Sequence, residues 1–319
     1  MLPLSRRTAW IPAFAGMTLL LSLPAPALAQ SATAPPPTQQ RGGTYVEPPA
    51  TVDPLYVPRG PNQPAEAPWQ EPRVTLRLTL DVPLRHGPVV GSATQGPQPG
   101  STTLQASLRW RPVADTAWFV QATAFGYFDR ASQRSWDPDF TYAFGYDDGR
   151  AGHWAFTYAN FTGTRARPDP ARGEGRWNFP QGQWTASYRF GLPEAWKPVL
   201  LAGDGDSALC HADGNVVPRF SRNEGGFGSD KVSLGLGCRY TRPEGWFAHA
   251  TAFAWPDRSR QQPWDPDFTY GFGWTQPGPG GLTLQYANYS GNRWPGRARS
   301  TGEGLFRSGS VSLGWGASW

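Results

Sequence analysis

The chain has 319 residues, enough for two soluble domains or one large β domain, and carries 38 Gly, 34 Pro, 14% aromatic and only 17% charged residues. A mean hydropathy of −0.51 excludes a bundle of membrane helices, because no stretch after the leader approaches the ~18–20 apolar residues that a spanning helix needs. The formal charge of +5 and pI near 9.4 come from dispersed arginines without a basic cluster, which speaks against a nucleic-acid partner.

Residues 1–29 read as a secretory signal peptide: Arg6 and Arg7 supply a positive start, Met17 to Leu23 an apolar centre, and Ala27, Leu28 and Ala29 a small-x-small cleavage site before Gln30. Cleavage would remove both arginines and leave a formal charge of +3. Residues 30–72 form a linker rich in Pro, Gln, Ala and Thr, too polar for a core and expected to lie extended in the periplasm. It is either a plain spacer or, through Tyr45 to Pro49 and Leu55 to Pro58, a docking piece for a periplasmic partner.

From residue 73 to the end the pattern changes to period-2 alternation, which puts apolar and polar residues on opposite faces of a strand. Strand one alternates Val74, Leu76, Leu78, Leu80, Val82 and Leu84 with Thr75, Arg77, Thr79 and Asp81. Strand two, near 103–112, alternates Leu104, Ala106, Leu108 and Trp110 with Gln105, Ser107, Arg109 and Arg111. Strands three to six are expected near 117–128, 139–147, 153–162 and 183–192. A faint seventh is expected near 197–204, an eighth near 231–241, then strands near 245–256, 267–275 and 281–290. The twelfth carries Val311, Leu313, Trp315, Ala317 and Trp319. Connections after even strands are short and those after odd strands long: 85–102, 129–138, 163–182, 205–230, 257–266 and 291–309.

Residues 118–165 align without gaps to residues 246–293, about half of them identical. The unit is too long for a propeller blade or solenoid repeat, so a duplicated half-barrel is the expected origin. The chain-ending Trp319, closing an alternating run with Trp315, resembles the assembly signal of Gram-negative outer-membrane β-barrel proteins, and the strand pattern of 73–319 resembles that class throughout. The resemblance implies an all-β fold: a closed antiparallel transmembrane barrel of about twelve strands, preceded by a signal peptide and a Pro-rich segment. It also implies insertion by the barrel-assembly machinery and contact with outer-membrane lipid and lipopolysaccharide. The competing fold is a soluble β-sandwich or eight-stranded ligand-binding barrel. Its large apolar face would point inward, whereas here aromatics gather at strand ends as at the two interfaces of a membrane.

With apolar residues outside, Arg77, Asp81, Arg109, Arg111, Arg189 and Arg239 become pore-lining candidates. They either brace the wall in ion pairs or bias a pore toward anions. The repeated outer-rim motif, Trp136, Asp137 and Asp139 and again Trp264, Asp265 and Asp267, is expected where loops re-enter the membrane. Trp would sit in a girdle and the carboxylates in water, serving turn chemistry or a cation on lipopolysaccharide. Cys210 and Cys238 are the only cysteines; export favours a disulfide, while Cys238 shares the lipid-facing parity of Val232, Leu234 and Leu236. Two cysteines and four scattered histidines make no metal site, and no cofactor is expected.

Enzyme readings fare poorly. Outer-membrane phospholipases need His and Ser on neighbouring strand ends, but His249 takes an inward parity and His86, His153 and His211 are expected in loops or turns. No Gly-x-Ser-x-Gly elbow is present. The sequence therefore points to an outer-membrane channel, porin-like, passing small solutes or an extended polysaccharide, with a preference for anions as one of the two readings of its arginines. The alternative is a non-conducting structural or surface-interaction barrel.

Overall fold

The structure, a computed structural model, describes residues 73–84, 101–113, 116–129, 133, 137–160, 164–168, 176–177, 179, 182–192, 196–197, 201, 203, 205–218, 231–261, 265–276, 281–289, 291–297 and 306–319. The expected signal peptide, the Pro-rich segment, His86, Trp136 and Trp264 lie outside these residues. The strands are β1 (Val74–Pro83), β2 (Thr103–Trp110), β3 (Trp118–Tyr127), β4 (Phe140–Tyr146), β5 (Trp154–Asn160) and β6 (Gln183–Gly191). There follow β7 (Ser207–Val217), β8 (Lys231–Thr241), β9 (Trp246–Ala254), β10 (Phe268–Thr275), β11 (Leu282–Asn288) and β12 (Ser310–Ser318).

Each strand pairs antiparallel with its sequence neighbours, and β1 pairs with β12 to close the ring. The seam runs from Thr75 opposite Ser318 to Pro83 opposite Ser310, and Val74 and Trp319 exchange both backbone hydrogen bonds at 3.1 Å. Closure leaves no unpaired edge, which is the condition for a sheet to sit in hydrocarbon. Twelve strands spaced about 4.8 Å apart and tilted about 40° make a backbone cylinder roughly 24 Å across. A sandwich and an eight-stranded barrel are both excluded.

Side-chain parity sorts the residues by polarity. The outward set includes Leu78, Leu104, Leu108, Trp118, Phe156, Leu234, Leu236 and Leu313, all well exposed. Within the twelve strands every charged residue and both histidines lie on the other face. The outward polar exceptions are Asn160 and Asn288, at equivalent ends of β5 and β11, and both are fully buried. Asn160 donates to the Trp177 carbonyl (3.2 Å), and Asn288 accepts from Asn292 (3.2 Å). Beside them Tyr158 and Tyr286 donate to the carbonyls of Phe179 (2.7 Å) and Phe306 (2.6 Å) while stacking on those rings. Two tyrosines thus pin the segments that precede β6 and β12 onto the outer wall.

Strand seven differs from its sequence-based expectation. It runs Ser207–Val217 instead of 197–204, where the Leu201 N–H donates to the Lys197 carbonyl. The outward face of β7 holds Ala208, Ala212 and Gly214, so its alternation is faint, whereas Val199, Leu200 and Leu201 imitate a strand. His211 therefore lies in a strand, not a loop. The connection after β6 becomes 192–206, and the strict alternation of short and long connections fails there. Cys210 and Cys238 stand directly opposite each other on the outward face of β7 and β8, joined by a disulfide.

Candidate functional site

The candidate site is the interior of the cylinder with its two mouths. The near mouth lies at the end carrying both chain ends of the barrel. There the β4–β5 turn presents Asp147 to the lumen, where Arg189 of β6 holds both of its carboxylate oxygens, one contact at 2.9 Å. Arg109 approaches the same carboxylate at 3.8 Å, and Arg111, just past the end of β2, donates to the Asp147 carbonyl at 3.4 Å. Burial pushes the Asp147 pKa up, but the charge and hydrogen bonds of Arg189, then Arg109 and the Gly149 N–H, outweigh it and hold the carboxyl below its usual range. Three predicted lining arginines are thereby gathered on one acid. Asp148 meanwhile pairs with His153 across the turn.

The guanidinium of Arg109 lies over the Phe119 ring, 3.9 Å from its centroid, and that of Arg239 over Phe247 at 4.0 Å. Arg77 extends along the seam wall, where a Cβ on Gly314 would come within 3.5 Å of its guanidinium. Asp81 accepts from Ser310 at 2.8 Å. Inward histidines are also accommodated by glycine: a Cβ on Gly237 would strike His211 and one on Gly271 would strike His249. Ser187 donates to Asp213 at 2.5 Å, and His211 lies 3.4 Å from that carboxylate. The acid stands between hydroxyl and imidazole, an order in which the imidazole does not take the serine proton directly.

The interior is unevenly filled. Thr157, Ser187, Arg189, Thr269 and Thr283 are buried against one another or their neighbours. Arg77, Gln105, Arg109 and Gln121 on β1–β3, and Arg239, His249 and Phe253 on β8–β9, are half-buried, as are Thr185, Asp213, Gln285 and Ser312 elsewhere on the inner face. Among the described strand residues, the inner face carries five basic side chains (Arg77, Arg109, Arg189, Lys231, Arg239) and two acidic ones (Asp81, Asp213).

At the far mouth the second copy of the acidic motif is not aimed at water. Asp265 and Asp267 are fully buried, so the expectation of hydrated carboxylates is corrected for that copy. Asp267 accepts from Gln261 (2.8 Å), the Trp294 N–H (3.1 Å) and Arg297, with Arg293 at 3.6 Å; Asp265 pairs with Lys231 at 2.5 Å. In the other copy Asp139 accepts from Gln133 (2.9 Å), Arg165 (3.2 Å) and the Ala166 N–H (3.0 Å), while Gln133 also reaches the Asp137 carbonyl. Burial raises the Asp139 pKa, yet Gln133, the Ala166 N–H and Arg165 together bring it below the usual carboxylate range. Gln133, Asp137, Asp139, Arg165 and Ala166 stand 128 positions before Gln261, Asp265, Asp267, Arg293 and Trp294, whereas Arg297 and Lys231 correspond to Asp169 and Thr103; each clasp ties the loop before β4 or β10 to the loop after β5 or β11. Full burial of Asp265 and Asp267 is tolerated because Lys231, Arg293 and Arg297 pair with them. Among the described residues no group of three or more His, Cys, Asp or Glu has the arrangement to hold a metal ion.

The inward aromatics and the clasp partners were missed by sequence reasoning. A signal for both existed: Phe119 and Phe247 fall on the polar parity of their strands, and Gln133, Arg165, Gln261 and Arg293 are identical positions within the aligned repeat.

No family model matches the chain, and no curated protein does. Among solved structures, the chain is similar to the Salmonella typhi OmpF complex with daunomycin, at 8% identity and a TM-score of 0.29, covering 77% of this chain and 97% of that one. It is also similar to a bacterial polysaccharide outer membrane secretin, at 8% identity and a TM-score of 0.30, covering 79% of this chain and 100% of that one.

Proposed function

We propose that the protein is an outer-membrane channel whose polar lumen passes small hydrophilic solutes or one extended polysaccharide chain and favours anions. One observation carries this reading: all charges of the strands face inward, basic ones outnumber acidic ones, and the outer face is apolar throughout its exposed length. Such a surface in water would aggregate, whereas in a bilayer it is the stable arrangement. A ring of arginines in a confined, low-dielectric passage raises the local concentration of anions. Export by a cleaved signal peptide, insertion by the barrel-assembly machinery, contact with lipopolysaccharide at the outer rim and a periplasmic partner for the Pro-rich segment belong to the same proposal. So does the origin of the barrel in a duplicated half.

The test is a planar bilayer recording under a salt gradient. A steady conductance with a reversal potential of anion-selective sign is expected; a cation-selective sign defeats the arginine argument. The second reading, a non-conducting structural barrel, is favoured by the buried Asp147–Arg189 pair and the packed β5–β7 wall. A folded barrel that stays silent at every voltage would select it.

A further inference from the structure

Strands β3 and β9 are six apart in a ring of twelve, so β2–β3 and β8–β9 form opposite walls of the lumen. Each wall carries the same sequence of surfaces. Near the chain-end mouth, an arginine lies over a phenylalanine: Arg109 on Phe119, Arg239 on Phe247. Toward the far mouth come inward rings that remain partly accessible, Phe125 and Tyr127 on β3, Phe253 on β9 and Trp255 just beyond it. Between them lie hydrogen-bonding side chains, Gln121 and Thr123 on one wall, His249 and Thr251 on the other. Tyr127 and Trp255 are held in place by matching hydrogen bonds to the carbonyls of Pro138 (2.8 Å) and Pro266 (3.0 Å).

Aromatic rings on the wet face of a barrel need a reason, since a plain aqueous pore gains nothing from apolar surface. Their faces are electron-rich and attract polarised C–H groups as well as cations. The ligand that presents a flat C–H face, many hydroxyls and negative charge at once is an acidic sugar chain, whose carboxylates match the planar fork of arginine. Six residues separate Phe119 from Phe125; at about 3.3 Å each and a tilt of about 40° the surfaces extend roughly 15 Å along the axis, long enough for several sugar rings. Inward side chains on both walls narrow a ~24 Å backbone cylinder to roughly half, so one chain touches both.

We propose that these two walls form a binding track for an acidic oligosaccharide or polysaccharide, its rings sliding over Phe125 and Phe253 and its carboxylates over Arg109 and Arg239. The track rests on the channel reading and specifies what that channel carries. Single-channel recording of the full-length protein tests it, with oligogalacturonate as the probe, malto-oligosaccharide of equal length as the neutral control and acetate as the small-anion control. Oligogalacturonate should interrupt the current transiently, at about tenfold lower concentration than the neutral oligomer, with blocked times that lengthen with chain length; acetate should not block. F125L and F253L should each shorten the blocked time by about 2- to 10-fold. R109Q and R239Q should slow the onset of block and flatten its salt dependence. Folding of each variant is checked by heat-modifiable gel mobility. Should an arginine variant fail to fold, the salt dependence of block in the unmodified protein remains decisive, because a charge-steered encounter must weaken as salt rises. Equal block by acidic and neutral oligomers, salt-independent block, or a conducting channel that neither sugar interrupts would each overturn the track while leaving the channel. A folded barrel with no conductance would overturn the channel reading and the track with it.

Discussion

Replacing Leu236 with Arg isolates the claim that the outer face meets hydrocarbon. Leu236 is the sixth residue of the eleven-residue strand β8, points outward and is 52% exposed. Eleven residues at about 3.3 Å, tilted about 40°, climb roughly 28 Å, slightly more than the ~25 Å apolar band of such barrels, so Leu236 lies near the midplane. Its cross-strand partners are Ala212 and Ala252, which offer a guanidinium neither charge nor hydrogen bond. Arginine at the midplane of a barrel costs about 2–4 kcal/mol, against about 0–1 near an interface. Leu282, first in β11 and 44% exposed, supplies that interfacial comparison. Relative to the unchanged protein, L236R should lower the folded-to-unfolded ratio by about 30- to 1000-fold and L282R by about fivefold or less. The assay is reversible urea unfolding in phosphatidylcholine vesicles, followed by tryptophan fluorescence. Were the barrel water-soluble, both changes would fall within about 0.5 kcal/mol of neutral. Equal, near-neutral values for the two variants would refute the placement of this face in a membrane.

The far-mouth clasps make two further predictions. Asp267→Asn leaves Arg293 buried opposite a neutral amide and weakens Arg297, which is one-third exposed. Removing one member of a buried pair costs about 3–5 kcal/mol, and the exposure of Arg297 puts the loss at the lower end, read as a shift in the urea midpoint and faster proteolysis near Gln261. Asp139 has a folded pKa below that of the unfolded chain, so its contribution is fully present above about pH 4 and is lost as pH falls through the lowered value. Protease susceptibility of the segment around Arg165 should therefore stay flat from pH 7 to 5 and rise only in stronger acid; a rise near pH 6 would contradict the assignment.

The barrel was legible in the chain because a strand with one apolar and one polar face must alternate along its whole length. Leu76, Leu78 and Leu80 against Arg77, Thr79 and Asp81 admit one inside and one outside, and the same logic placed eleven of the strands close to where they lie. Strand β7 escaped, since Ala208, Ala212 and Gly214 fill outward positions without leaving a hydropathy signal. The positions of Arg109, Arg189 and Arg239 on the inner face followed from the same alternation.

Alternation along one strand says which face a side chain takes but not what it meets there. That Arg109, Arg111 and Arg189 converge on Asp147 depends on β2, the β4–β5 turn and β6 arriving at one mouth, contacts separated by up to 42 residues. The same holds for Asp139 and Asp267: their spacing within the repeat suggested exposed turns, while the folded loops supply Arg165, Arg293 and Arg297 and bury the second copy. Strand parity is a local property, set by the geometry of successive Cβ atoms, and so can be read from neighbours in the chain. The pairing of charges is decided by the register of neighbouring strands and by the loops folded over the mouths, which bring together residues that alternation alone leaves unrelated.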